Sequence, residues 1–154
     1  MSEVPKIVLD TTILLQASLY PNKSAGQILD CLRNGTAKGY LSSRLRQEYE
    51  DVLHRPALKE LYPSLTDDLA NKILSFVYYY CEEISVTPSY VSYERDRSDE
   101  PLINLCIAVK ADYLIARDRD LIDLNKDRDF NLLYPFLTIA TPENFLRIQG
   151  IRQD

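Results

Sequence analysis

Residues 6–15, KIVLDTTILL, govern how the rest of the chain is read. Ile7 and Val8 are β-branched and Leu9 is apolar, which predicts a strand over Lys6–Leu9 that ends at Asp10. Thr11-Thr12-Ile13-Leu14-Leu15 then predicts a helix that begins at once. The same sentence is written again at residues 112–118, DYLIARD, where an apolar strand ends just before Asp118 and Leu121-Ile122 follow. A strand that runs into an acid and then into a helix is the unit from which parallel sheets are built.

Working outward, further strands are predicted at residues 39–41, 83–86 and 136–140. Between them lie helices opened by Ser24 (24–33), by Ser42-Ser43 and running to about His54, and over about 66–81, where Leu69, Ile73, Phe76, Val77 and Tyr80 recur at helical spacing. Residues 99–110 are apolar on nearly every side, with Asn104 the main polar interruption, so they predict a buried helix. Thr141-Pro142-Glu143 opens a closing helix with Pro in its first turn. No linker, repeat or low-complexity segment divides the chain. The expectation is one α/β domain spanning 1–154, its core about 5–148, with a central parallel sheet flanked by helices on both faces. In such sheets ligands bind beyond the carboxyl ends of the strands, where Asp10 and Asp118 fall.

Composition narrows the function. With 154 residues and 45% hydrophobic content the chain can bury a full core. No run approaches the ~18 consecutive apolar residues of a membrane helix, and residues 1–9 lack signal-peptide architecture, so a soluble, cytoplasmic protein is expected. Cys31, Cys81 and Cys106 are odd in number and form no CxxC pair, which reads as reduced core thiols. His54 is the only histidine, and it stands beside Arg55-Pro56 at a helix end, a poor place for a Ser-His-Asp triad. The four glycines spell no phosphate-cradling loop, so no nucleotide cofactor is expected. A net charge of −5 argues against coating nucleic acid by bulk electrostatics but leaves room for local contacts.

The acids carry the functional reading. Asp10 and Asp118 each read either as a helix cap or as a ligand. Asp99 and Glu100 complement a helix dipole in the bland reading. Glu48 is harder to dismiss: at about 100° per residue it projects about 60° from Leu45 and about 40° from Val52, on the flank of an apolar face. A carboxylate there needs a metal or a partner such as Arg46. Glu50 and Asp51 point away, toward solvent. Hard divalent cations bind carboxylate oxygens, and acids gathered at strand ends suit metal-assisted phosphodiester hydrolysis, with one metal activating water and a second, when present, about 4 Å away.

VLDTTILLQASL (8–19), LSSRLRQEYEDVLHRP (41–56), DEPLINLCIAVKADYLIARDRDLI (99–122) and TPENFL (141–146) together resemble the PIN-domain family, most nearly its prokaryotic branch of toxin–antitoxin toxins. The resemblance implies an α/β fold with an acidic pocket for Mg²⁺ or Mn²⁺ and cleavage of single-stranded or structured RNA. It implies catalytic roles for Asp10, Glu48, Glu100 and Asp118, with Asp99 and Asp120 as additional metal ligands and Asp96 as a further acid. Thr11 and Thr12 stand beside the first ligand. The family usually has Asn at position 12 and often Thr or Ser at 116, where this chain has Thr12 and Ala116, and Asp is commoner than Glu at position 100. Loss of the Asn and Thr removes hydrogen bonds that orient ligands. Arg44, Arg46, Arg95, Arg97, Arg117 and Arg119 lie near the acids and read either as RNA phosphate contacts or as salt-bridge partners. The resemblance further implies an antitoxin protein as partner and a homodimer, for which Tyr78 and Tyr79, turned off the apolar face, supply aromatic surface. The competing reading is an inactive scaffold binding RNA or protein. An Asp-nucleophile phosphatase would need Asp at position 12, and a phosphoacceptor receiver leaves Glu48 unexplained.

Overall fold

A computed structural model describes residues 3–85, 88–91 and 99–151. Five strands, β1 (Lys6–Leu9), β2 (Lys38–Ser42), β3 (Cys81–Ile84), β4 (Tyr113–Ile115) and β5 (Thr138–Ala140), form one sheet in the order β3-β2-β1-β4-β5. Every pairing is parallel, with Ile7 opposite both Gly39 and Tyr113. The central strands are buried at consecutive residues, Ile7, Val8 and Leu9 on β1 and Leu114 and Ile115 on β4. Successive side chains leave a strand on opposite sides, so burial of both sets means that both faces are covered.

Nine α-helices lie among the described residues: α1 (Thr11–Leu19), α2 (Ser24–Asn34), α3 (Ser43–Leu53), α4 (Pro56–Leu61), α5 (Asp67–Tyr80), α6 (Glu100–Val109), α7 (Arg119–Ile122), α8 (Arg128–Leu133) and α9 (Pro142–Ile148). None is long and apolar enough to cross a membrane. Hydroxyl caps begin three of them as their sequences suggest: Ser42 accepts from the Leu45 amide, Thr66 from Leu69 and Thr141 from Asn144. Pro56, read from sequence as a stop, is also the first residue of α4.

Two strands sit off their expected positions. The third begins at Cys81 because α5 runs through Tyr80 straight into it; Val86, at the end of the expected stretch, lies outside the described residues. Cys81 faces Gly39 across the β2–β3 pair, and a Cβ at position 39 would press on its sulfur. Burial pushes the Cys81 thiol up to about 12 and raises those of Cys31 and Cys106, so the three cysteines behave as core groups. The fifth strand is shortened to Thr138–Ala140 because the Leu137 amide closes a turn onto the Tyr134 carbonyl.

The order of the strands positions the site. The chain moves outward from β1 through β2 to β3, then α6 packs across β1 and β2 and returns it to β4, on the other side of β1. The sheet therefore reverses its winding between β1 and β4. In sheets of this kind ligands bind beyond the carboxyl ends of the two strands at such a reversal.

Candidate metal centre

Asp10 follows β1 and Asp118 lies just past β4, so both flank the point of reversal. The strands are tied there, since the Asp10 amide donates to the Ile115 carbonyl at 3.0 Å. Each acid caps the helix after it. Asp10 Oδ1 accepts from the Thr11 amide at 2.8 Å, and Asp118 Oδ1 accepts from the amides of Asp120 at 2.8 Å and Leu121 at 3.3 Å. Asp10 is half-buried, whereas Asp118 and Asp120 are exposed.

Glu48 reaches the same edge from α3. Its Oε2 accepts a 2.5 Å hydrogen bond from the hydroxyl of Thr11, the residue after Asp10. Arg46 is not its partner: that guanidinium binds Glu83 at 2.8 Å and lies 4.0 Å over the Tyr78 ring. The next residue holds α3 in place. Tyr49 is fully buried and donates at 2.5 Å to the carbonyl of Leu9, the last residue of β1. Burial pushes the Tyr49 hydroxyl well above its usual pKa, so it stays a donor. Removing that hydroxyl strands a buried carbonyl, so Tyr49→Phe should lose about 1–3 kcal/mol in urea unfolding. An unchanged midpoint would show that this bond does not fix α3 on β1.

Asp99 and Glu100 open α6, and both are half-buried. Two grooves meet beside them. One, of about 350 Å³, is lined by Arg44, Glu48 and Arg55 over Leu45, Val52, Pro101 and Leu102. The other, of about 390 Å³, includes Glu100 and Asn104, and it shares Arg44 and Pro101 with the first. Asn104 is buried, and its carbonyl accepts from the amides of Tyr90 and Val91 at 2.9 and 3.0 Å, which fastens that segment to α6.

The donors along this edge are carboxylate and hydroxyl oxygens, a set whose chemistry fits a hard divalent cation. Among the described residues, no group of three or more His, Cys, Asp or Glu stands close enough to hold an ion between them. Asp10, Asp118 and Glu48 each turn a carboxylate oxygen onto a local donor. Thr11 links Glu48 to the residue after Asp10, and Asp118 is held separately by the turn that follows it. Thr11 is buried and grips Glu48, whereas Thr12 is exposed, and Ala116 is fully buried with no side chain to offer a bond.

The arginines divide. Arg44 and Arg119 are exposed. Arg117 is a structural group: it donates to Gln16 at 2.6 Å and to both carboxylate oxygens of Glu143. Burial opposes ionisation of Glu143, yet the bonds from Arg117 and Ser24 hold its carboxyl below the usual range. Arg95, Arg97 and Asp96 lie outside the described residues. Arg55, exposed at the start of α4, was hidden in the sequence by its place beside Pro56, and the first groove brings it near Glu48.

Two residues that the helical projection turns outward, on α3 and α5, lie elsewhere. Glu50 is half-buried and accepts from the Tyr78 hydroxyl at 2.9 Å, so neither residue is a free surface group. The two helices pack together, which a projection of α3 by itself cannot register. Tyr79 is 80% exposed and does face solvent. His54 pairs with Asp67 at 3.2 Å, on the surface.

Comparison with known proteins agrees with the α/β fold. The chain is 28% identical over 148 residues to an uncharacterized protein of Methanocaldococcus jannaschii, MJ1680, a match that covers 92% of this chain and 89% of that protein. Residues 6–120, which carry Asp10, Glu48, Glu100 and Asp118, match the family described as PIN domain. The chain belongs to the PIN-domain family.

Proposed function

We propose that the protein is a divalent-metal-dependent endoribonuclease in which Asp10, Glu48, Glu100 and Asp118 are the metal-binding acids, assisted by Asp99 and Asp120. PIN domains are generally metal-dependent nucleases. The observation that carries the reading is the Thr11–Glu48 bond, which ties a helix acid to the residue after the strand acid Asp10 at the carboxyl end of β1. Bound Mg²⁺ or Mn²⁺ would make a water nucleophilic near neutral pH and offset charge on the phosphate. The chain's own part is positional. Thr11 orients Glu48, Tyr49 locks α3 to β1, and Asp118 is fixed by two backbone amides. Arg44 and Arg55 offer phosphate contacts along the groove beside Glu48.

The test is incubation of the purified protein with a single-stranded RNA oligonucleotide and Mg²⁺ or Mn²⁺. Cleavage that stops with EDTA and is lost in Asp10→Asn is expected; cleavage that survives EDTA would end the metal reading. A toxin role in a toxin–antitoxin pair, in the cytoplasm, is the finer form of this proposal, with an antitoxin as protein partner and a homodimer that uses the exposed Tyr79. It rests on the likeness of the four sequence blocks to that branch, and a strictly monomeric light-scattering profile at high micromolar concentration would count against the dimer. The second reading, an inactive scaffold for RNA or a protein, is favoured by Thr12 and Ala116 and by the lack, among the described residues, of three acids grouped closely enough to hold an ion. Absence of any heat on titration with Mn²⁺ would select it.

A further inference from the structure

Asp118 stands on a short loop between β4 and α7, yet a ligand has to be held within a fraction of an ångström. Its carboxylate is restrained on one side by the amides of Asp120 and Leu121. On the other side, Ala116 contributes only a backbone bond, its amide to the Ala140 carbonyl at 2.9 Å. The remaining anchor is Arg117. Its Nε donates to Gln16 of α1 at 2.6 Å, Nη1 and Nη2 bind the two carboxylate oxygens of Glu143 in α9, and Nη2 also reaches the Ser24 hydroxyl of α2 at 3.3 Å. Ser24 in turn donates to Glu143 at 2.9 Å. One guanidinium thus ties the loop to three helices, and α2 and α9 also pack on each other. A fork–fork pair of this kind fixes direction as well as distance.

We propose that Arg117, held by Glu143, Gln16 and Ser24, is the positioning residue for Asp118, doing from the α1–α2–α9 side what the apolar Ala116 cannot. The proposal rests on the reading of Asp118 as a metal-binding acid. The guanidinium nitrogens of Arg117 are engaged by Gln16, Glu143 and Ser24. Lysine keeps the charge but cannot make the bidentate pair, so Arg117→Lys separates geometry from charge.

Mn²⁺ titration by calorimetry on the full chain is the test, for wild type, Arg117→Lys, Arg117→Ala and Glu143→Gln, with circular dichroism and melting curves to confirm folding. Partners that orient a metal ligand typically contribute about 10–100-fold in affinity. The Mn²⁺ dissociation constant should therefore rise by about that factor in Arg117→Lys and Glu143→Gln while both remain folded. The metal concentration needed for half-maximal RNA cleavage should rise in step. A lowered melting temperature with unchanged Mn²⁺ affinity would make the network merely structural and overturn the proposal. Should Arg117→Ala fail to fold, Glu143→Gln and Arg117→Lys decide alone. Wild type that binds Mn²⁺ without cutting RNA would remove the nuclease reading and leave this proposal to the affinities. Wild type that binds no Mn²⁺ would overturn both.

Discussion

Replacing Glu48 with glutamine is expected to lower metal-dependent RNA cleavage by at least about 100-fold, beyond the ~10–100-fold that loss of a ligand's orienting partner costs. Shape is kept, and a glutamine carbonyl can still accept from the Thr11 hydroxyl, so the fold should not suffer. Melting of the metal-free protein should be unchanged or raised, because one charge is removed from an acidic edge. Glu50→Gln is the control from the same helix. Its partner is the Tyr78 hydroxyl, which can donate to an amide oxygen as well, so a loss within the ~0.5–1.5 kcal/mol of one hydrogen bond and near-normal cleavage are expected. Equal activity in the two variants, with wild-type cleavage confirmed as metal-dependent, would reduce Glu48 to a structural group.

Gly26→Ala should have the largest effect on stability. At an open helical position alanine would stabilise by ~1 kcal/mol over glycine. Gly26 lies inside α2, however, where the Pro21 carbonyl of the α1–α2 connection crosses so closely that an added Cβ would overlap it. The obstacle is backbone, which yields less readily than a flexible side chain. The cost should reach or exceed the top of the ~1–3 kcal/mol range for overpacking, read as a lowered urea midpoint. A variant as stable as wild type would mean that the α1–α2 connection is free to move. Since α2 carries Ser24, the same variant should loosen the Arg117 anchor.

Much of this was legible in the chain itself. The runs at 6–9 and 112–116 announced strands because consecutive apolar residues suit a sheet covered on both faces. Asp10, Glu48 and Asp118 stand out in the sequence because an acid at the end of such a run, or on the flank of an apolar helix face, is conspicuous. The partners of these residues were not legible. Glu48 meets Thr11, 37 residues away, and Arg117 meets Gln16 and Ser24, 101 and 93 residues away. Local spacing cannot show whether an arginine beside an acid faces RNA or a distant carboxylate, and so the sequence alone does not separate Arg117 from Arg44 and Arg119. Strand order was equally hidden, because periodicity marks the elements and tertiary packing alone places β1 between β2 and β4. The short helices α4 and α8 fell below the length at which a helical pattern repeats enough to be read.

Anomalous scattering from crystals soaked in Mn²⁺ tests the metal site most directly. A peak coordinated by carboxylates of Asp10 and Asp118, with Glu48 or Glu100 within reach of the same ion or its bound water, is the expected result. A protein that cuts RNA in a Mn²⁺-dependent way but shows its only anomalous peak away from Asp10 and Asp118 would contradict the assignment of the carboxyl ends of β1 and β4 as the catalytic centre.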